Sequence, residues 1–200
     1  AKRKSELKAL QSQINPHFLY NTLDSIIWMA EGRKYEEVVL MTASLARLLR
    51  QSISNEDEVV PLAREVEYAK GYLTIQKMRY KDKLEFEINV EPSILNIPLI
   101  KLVLQPIIEN AIYHGLKYKE SKGLLQVKGF MKDGNAVLQV IDNGVGMDEE
   151  TLAHNGVGVY NVQKRLQLYY GESYGITYES EKGVGTTATI TIPGMQEESI

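Results

Sequence analysis

The 200-residue chain has no cysteine and a single tryptophan. Without cysteine there is neither a disulfide framework nor a thiolate metal site, which leaves an intracellular location open. An excess of positive charge is also missing. With 23 Lys and Arg against 26 Asp and Glu the formal net charge is −3, and a chain without a broad cationic surface is poorly suited to nucleic acid, whose binding rests on phosphate neutralisation. No apolar run approaches the roughly 18–20 residues that span a bilayer, and no apolar signal core follows the first lysines. What is present is ordinary for a globular protein: 44% hydrophobic and 24% charged residues, enough to build a core. This length is consistent with one large or two small domains, and two modest units are expected.

Along the chain, residues 2 to about 30 read as a helix interrupted by Pro16, which lacks an amide donor. Leu7, Leu10 and Ile14 are spaced three then four apart, as in a coiled-coil seam, so the chain is expected to continue a helix of a longer signalling protein. Glu31-Gly32-Arg33 predicts a turn. From Tyr35 to Ile53 the repeat of Val38, Met41, Leu45 and Leu48 predicts a second amphipathic helix, and the two seams together predict a dimer of four helices in all. Pro61 suits the first position of a third helix, with Leu62, Val66, Ala69 and Leu73 on one face. At Leu84 the period changes. Leu84, Phe86, Ile88 and Val90 alternate with Glu85, Glu87 and Asn89, the pattern of a half-buried strand, which sets the expected domains at 1–81 and 82–200. The second domain predicts a helix from Pro98 to about Leu116 and a hairpin around Lys132-Asp133-Gly134. A helix from Val159 to Tyr170 follows, then strands ITYES and TTATITI joined through Glu181-Lys182-Gly183. The fold class is α+β, one sheet covered by a helical layer.

Four segments carry chemistry. In IIENAIYHG (107–115) the side-chain oxygen of Asn110 suits a hard cation such as Mg2+, and His114, four residues on, shares its helical face. In IDNGVGMD (141–148) Asp142 ends an apolar strand pattern, and the glycines after it let the backbone approach a ligand closely. A carboxylate there can accept from an exocyclic amine, which adenine carries where guanine presents a carbonyl. In HNGVGVYNVQKRL (154–166) Gly156 and Gly158 precede a helix whose amino end can meet phosphate. In INPHFLYN (14–21) His17 offers an imidazole, whose neutral form has a nucleophilic lone pair and needs no strong base. Asn21 lies on the same helical face. Singly, each has a plainer reading: a DNG turn is common, a lone helical histidine is usually structural, and Arg165 equally fits a solvated helix face.

Taken in order, the segments resemble the asparagine box, the two glycine boxes and, at Gly183, Gly185 and Thr186, the GxGT strand start of the GHKL ATP-binding fold. Gln13 to Asn21 resembles the phosphoacceptor segment of LytS/YehU-type sensor histidine kinases. The resemblance implies an N-terminal helical hairpin dimerisation module followed by a GHKL (Bergerat-type) α/β sandwich. It implies ATP-dependent autophosphorylation on His17 and transfer to an Asp of a response regulator, which in this branch is often of the LytTR type. The protein would be the cytoplasmic core of a membrane-anchored bacterial sensor, a homodimer with no direct nucleic-acid contact, meeting the membrane only through a missing N-terminal portion.

The same resemblance assigns roles within an ATP and Mg2+ site. Asn110 would hold the metal and Glu109 would orient or activate the attacking group. His114 would reach a phosphate, Asp142 would hold adenine, and Thr186, after Gly185, would reach the adenine side through water. Gly144, Gly146, Gly156 and Gly158 would shape the nucleotide site and its lid, with Arg165 helping to hold the triphosphate. Two departures stand out. Tyr113 occupies a place where many relatives have Lys, which Lys117 would have to offset, and Phe18 follows His17 where most other sensor kinases have an acid. A nucleotide-sensing pseudokinase and a GHKL ATPase of the chaperone or DNA-repair type, with Glu109 activating water, remain as alternative readings.

Overall fold

A computed structural model describes residues 14–53, 58–117, 119–148 and 157–194. The described residues fall in two compact units, one drawn from Ala1–Glu58 and Glu67–Lys81, the other from Val59–Val66 and Asp82–Ile200.

The first unit is helical. Helix α1 (Pro16–Glu31) starts where sequence and capping chemistry coincide: Pro16 takes the first helical position and Asn15 caps it, its Oδ1 accepting from the His17 amide at 2.9 Å. Proline needs no partner for its missing N–H there. The interruption expected at Pro16 falls there, with residues 14 and 15 outside the helix. Pro16 opens the helix, and Leu7 and Leu10 lie outside the described residues. The turn at Gly32-Arg33 leads to α2 (Tyr35–Ile53). Helix α3 (Leu62–Tyr80) completes this unit with its residues from Glu67 onward.

The core of this unit is apolar and close. Phe18 of α1 meets Tyr72 of α3 with ring centroids 4.7 Å apart. Gly71 lets α3 approach α2, since a Cβ there would lie 3.2 Å from Leu48 Cδ1. Met41, Leu45 and Leu48 are already buried within one chain, so the seam expected to face a second copy is spent internally. The apolar side chains left exposed are others: Tyr20, Leu23, Ile27 and Trp28 on α1 and Tyr35, Val39, Leu40 and Ile53 on α2.

The second unit is a five-stranded sheet with helices on one face. Strands β2 (Leu84–Val90), β4 (Gly123–Lys132), β5 (Asn135–Asp142), β6 (Gly175–Glu181) and β7 (Gly185–Pro193) lie in the order β2-β4-β5-β7-β6. Only β2 and β4 are parallel. The β4–β5 hairpin turns at Asp133-Gly134, both with positive φ, the geometry that favours Asp-Gly in two-residue hairpins. A small antiparallel pair joins β1 (Val59–Pro61) to β3 (Pro98–Ile100). Over the sheet pack α4 (Leu104–Asn110), which continues as a π-helical segment Ala111–Leu116, and α5 (Val157–Tyr170). Leu104, Ile108, Leu125, Leu138 and Leu166 are among the fully buried side chains of this core.

Two prolines sit elsewhere than expected. Pro61 ends β1 opposite Pro98, and α3 begins at Leu62, where the first free amides donate to Ile97 O and Leu95 O. The helix predicted from Pro98 begins only at Leu104, because residues 98–100 extend to pair with β1.

Candidate functional site

The helix that carries Asn110 is held at its amino end by a residue from far upstream. No side chain of its own caps α4. Instead the buried Glu65 accepts from Val103 N at 2.7 Å and Leu104 N at 3.3 Å, satisfying amides that a helix start leaves open. Burial pushes the Glu65 carboxyl up, opposed by those amides and by Arg165. Leu102 between them has φ of 62°, a costly conformation for a residue with a side chain. Arg165 grips this turn from α5, donating to the Leu102 and Lys101 carbonyls. The guanidinium expected to meet a triphosphate is thus engaged with backbone, and Arg165 does not line the cleft described next.

Downstream, the chain lines a narrow cleft with Asn110, His114, Asp142, Gly146 and Thr186, so five of the residues singled out in sequence converge. Its apolar walls include Ile107, Val140 and Ala188. The π-helical segment matters here. Widening the turn to an i→i−5 bond, Lys117 N to Ile112 O at 3.0 Å, carries Gly115 against Asp142. A Cβ on Gly115 would stand 2.9 Å from Asp142 Oδ1, one on Gly144 would stand 2.2 Å from Gly115 O, and one on Gly185 would stand 2.0 Å from Asp142 O. Three glycines from three segments therefore form a collar that no larger residue allows, and Val145 N closes it onto Gly115 O at 3.0 Å.

Asp142 is buried, and its Oδ1 accepts from Gly144 N at 2.8 Å. Burial pushes its carboxyl up, with the Gly144 and Thr186 amides and Lys119 pulling the other way. Asn143 is structural. Its Oδ1 accepts from Leu124 N at 2.7 Å and its Nδ2 donates to Lys122 O, tying the loop to the start of β4. Thr186 Oγ1 lies 2.7 Å from Ser180 Oγ, which also accepts from Met147 N at 2.8 Å. Glu109 is half-buried outside the cleft lining. Burial pushes its carboxyl up, while Gln105 Nε2 donates to it at 2.8 Å. Lys117 Nζ stands 4.4 Å from the centre of the Tyr113 ring, a cation–π contact that couples the departure at Tyr113 to the neighbouring cation. Gly158 falls in the first turn of α5, while Gly156 and His154 lie outside the described residues.

The donors fit a nucleotide with a magnesium ion. An apolar slot with one carboxylate acceptor suits a purine carrying an amine. Among the described residues no group of three or more His, Cys, Asp or Glu could hold a metal ion. Asn110 lines the cleft with an amide oxygen that a magnesium ion could take.

His17 lies in the other unit, exposed in the first turn of α1. The Asn21 amide is 3.1 Å from its Nδ1. One end of an amide donates to an unprotonated Nδ1. The Asn21 Nδ2 is the end that faces the ring, so Asn21 orients the imidazole as a donor. Asn21 thus stands where Phe18 supplies no acid. Glu65, Ser180 and Tyr178 were not found by sequence reasoning. A cap reached from 38 residues away leaves no local pattern, and Ser180 and Tyr178 read only as alternating strand residues.

Family comparisons match both units. The profile described as "Histidine kinase" matches residues 5–84, and that of the "Histidine kinase-, DNA gyrase B-, and HSP90-like ATPase" family matches residues 96–196. Sensor histidine kinase YesM of Bacillus subtilis is 38% identical over 98% of this chain and 34% of its own length. Sensor protein LytS of Oceanobacillus iheyensis is 32% identical over 85% of this chain and 31% of its own length. This chain spans about a third of the length of these curated relatives. The histidine kinase domain from the Erythrobacter litoralis EL346 blue-light activated histidine kinase shares the fold, with a TM-score of 0.55 at 18% identity over 94% of this chain and 91% of that one. Among the described residues no helix is long and apolar enough to cross a membrane. The glycine collar around Asp142, the Asn110 helix and the His17 helix start thus belong to a chain of the histidine kinase-, DNA gyrase B- and HSP90-like ATPase family.

Proposed function

We propose that this chain transfers the γ-phosphoryl group of ATP to His17 and passes it on to an aspartate of a response regulator. The observation that carries the reading is the convergence of Asn110, His114, Asp142 and Thr186 on one glycine-collared cleft. In the transfer a His17 ring nitrogen bonds to the γ-phosphorus as the bond to the bridging oxygen breaks, and ADP leaves. Such chemistry rests on positioning and charge neutralisation. Asp142 orients the base by accepting from its amine, His114 faces the phosphate end, and Gly144, Gly146, Gly156 and Gly158 let backbone approach the nucleotide. Thr186, set by Gly185, holds the far side of the base. Asn110 holds Mg2+, which when bound neutralises developing charge on the phosphate oxygens. Glu109, kept more basic by burial, orients the attacking group. Arg165 acts as a positioning residue, through the turn that starts the Asn110 helix.

In this reading residues 1–81 are the dimerising phosphoacceptor module and 82–200 the ATP-binding module, set within a longer membrane-anchored sensor and paired with a LytTR-type regulator. Asn110→Ala should lower autophosphorylation at limiting magnesium by roughly a hundredfold, while stability changes by no more than about 0.5 kcal/mol, since the side chain is half-exposed. Radiolabel transfer measured across a magnesium series checks this, and a full rate at limiting magnesium would remove Asn110 from the metal.

The dimer seam in this reading runs along the exposed apolar side chains Leu23 and Ile27 of α1 and Val39 of α2. Burying such side chains against a second copy is worth about 1.5–3 kcal/mol each. Sedimentation of the Ile27→Glu/Val39→Glu double variant should show a folded monomer at concentrations where the unsubstituted chain is a dimer. A variant that still dimerises would place the seam elsewhere.

A further inference from the structure

Two rows of side chains on one face of the sheet are fixed by register, and all of them but Ser180 line the cleft. Asp142, Thr186 and Ser180 lie opposite one another across β5, β7 and β6, and in the adjacent row Val140, Ala188 and Tyr178 do the same. The first row is internally satisfied. Asp142 accepts from Gly144 N, and Ser180 Oγ and Thr186 Oγ1 are 2.7 Å apart.

The second row holds two apolar side chains and a phenol that also lines the cleft. The Tyr178 hydroxyl is buried and has no hydrogen-bond partner among the described residues. Buried polar atoms are nearly always satisfied, and an unsatisfied one weakens the fold where phenylalanine would pack as well. The small Ala188 directly across from it leaves the ring room along the cleft wall.

We infer that Tyr178 is a second base-reading residue, whose hydroxyl donates a hydrogen bond to a ring nitrogen of the bound purine while Asp142 accepts from its exocyclic amine. This rests on the reading of the cleft as the ATP site. The two groups complement each other chemically. A carboxylate can only accept, and adenine offers one amine together with ring nitrogens that accept, so one acceptor and one donor on neighbouring rows match two different atoms of the same flat ring. Burial pushes the Tyr178 phenol up, so it keeps its proton and stays a donor through the physiological range.

The test uses the 200-residue chain with Tyr178→Phe, which removes only the oxygen. Two effects of opposite sign are expected. The thermal midpoint of the nucleotide-free protein should hold or rise by about 1–3 °C, because an unsatisfied buried group is gone. ATP affinity by calorimetry should fall roughly fivefold to tenfold, the worth of one hydrogen bond. With one of 1-deaza-, 3-deaza- or 7-deaza-ATP, which lack one ring nitrogen each, the two proteins should bind equally. A lowered midpoint, an unchanged ATP affinity, or an equal loss with ATP and all three analogues would each overturn the inference. If the unsubstituted chain binds no ATP, the reading of the cleft fails and this inference with it. If it binds ATP and Tyr178→Phe binds equally well, only the role of Tyr178 falls.

Discussion

His17→Gln should abolish acid-labile phosphoryl labelling while ATP affinity stays within about twofold of the unsubstituted chain. Glutamine keeps much of the bulk and polarity of histidine but has no ring nitrogen able to attack phosphorus. The side chain is exposed in the first turn of α1, and the cap beneath it is made by Asn15 to the residue 17 backbone amide, which the substitution keeps. Stability should therefore change by no more than about 0.5 kcal/mol. The cleft belongs to the other compact unit, so nucleotide affinity is separable from the loss of the acceptor. Filter-retained label stable in base and lost in acid measures the first quantity, and calorimetry with ATP the second. Label at the unsubstituted level on the His17→Gln protein would exclude His17 as acceptor.

Asp142→Asn should weaken ATP binding by roughly 10-fold to 100-fold, the range spanned by a charge-assisted hydrogen bond of about 1.5–3 kcal/mol. In the carboxylate one oxygen is committed to Gly144 N at 2.8 Å. The amide oxygen of asparagine would keep that bond, because turning it away would leave a buried amide without an acceptor. The amide nitrogen would then face the cleft and meet the adenine amine donor to donor. Gly115 packs close to the side chain, since a Cβ there would stand 2.9 Å from Asp142 Oδ1.

Stability should move the other way with pH. Burial raises the Asp142 carboxyl, so the folded state holds the proton more tightly than the unfolded one. The unsubstituted protein then loses stability as pH rises from the ordinary carboxylate range through the raised one. The amide introduced by Asp142→Asn does not titrate, so that variant lacks this loss. Denaturant melts of both proteins across this window check the sign, and parallel pH curves would contradict it.

Local patterns made much of the fold legible. The repeat from Tyr35 to Ile53 gives α2 with those limits, and the Asp133-Gly134 signal gives the β4–β5 hairpin. Both depend on short-range chemistry, a helical period in one case and a positive-φ turn in the other. Prolines were harder, because the same residue breaks a helix interior and opens a helix start. What decides is the partner of the neighbouring amides, Asn15 at Pro16 and the Leu95 and Ile97 carbonyls after Pro61. Residues 98–100 became strand only because β1, distant in sequence, pairs with them.

The site divides in the same way. Asn110, His114, Asp142 and Thr186 were legible because each sits in a short contiguous segment whose order along the chain resembles the family's motifs. Glu65 acts on backbone 38 residues away, and Tyr178 reaches the cleft only through the register that sets it opposite Ala188. The π-helical widening that brings Gly115 to Asp142 has no sequence period of its own. Arg165 drew attention by its place in a motif, yet its guanidinium is committed to the Lys101 and Leu102 carbonyls.

The most direct measurement is to incubate the chain with γ-labelled ATP and magnesium and to locate the label by mass spectrometry of the digested protein. A single phosphohistidine is expected, on the peptide that contains His17, accompanied by ADP in equal amount. Free phosphate with no label on protein, or label on His114 or His154 instead, would contradict it.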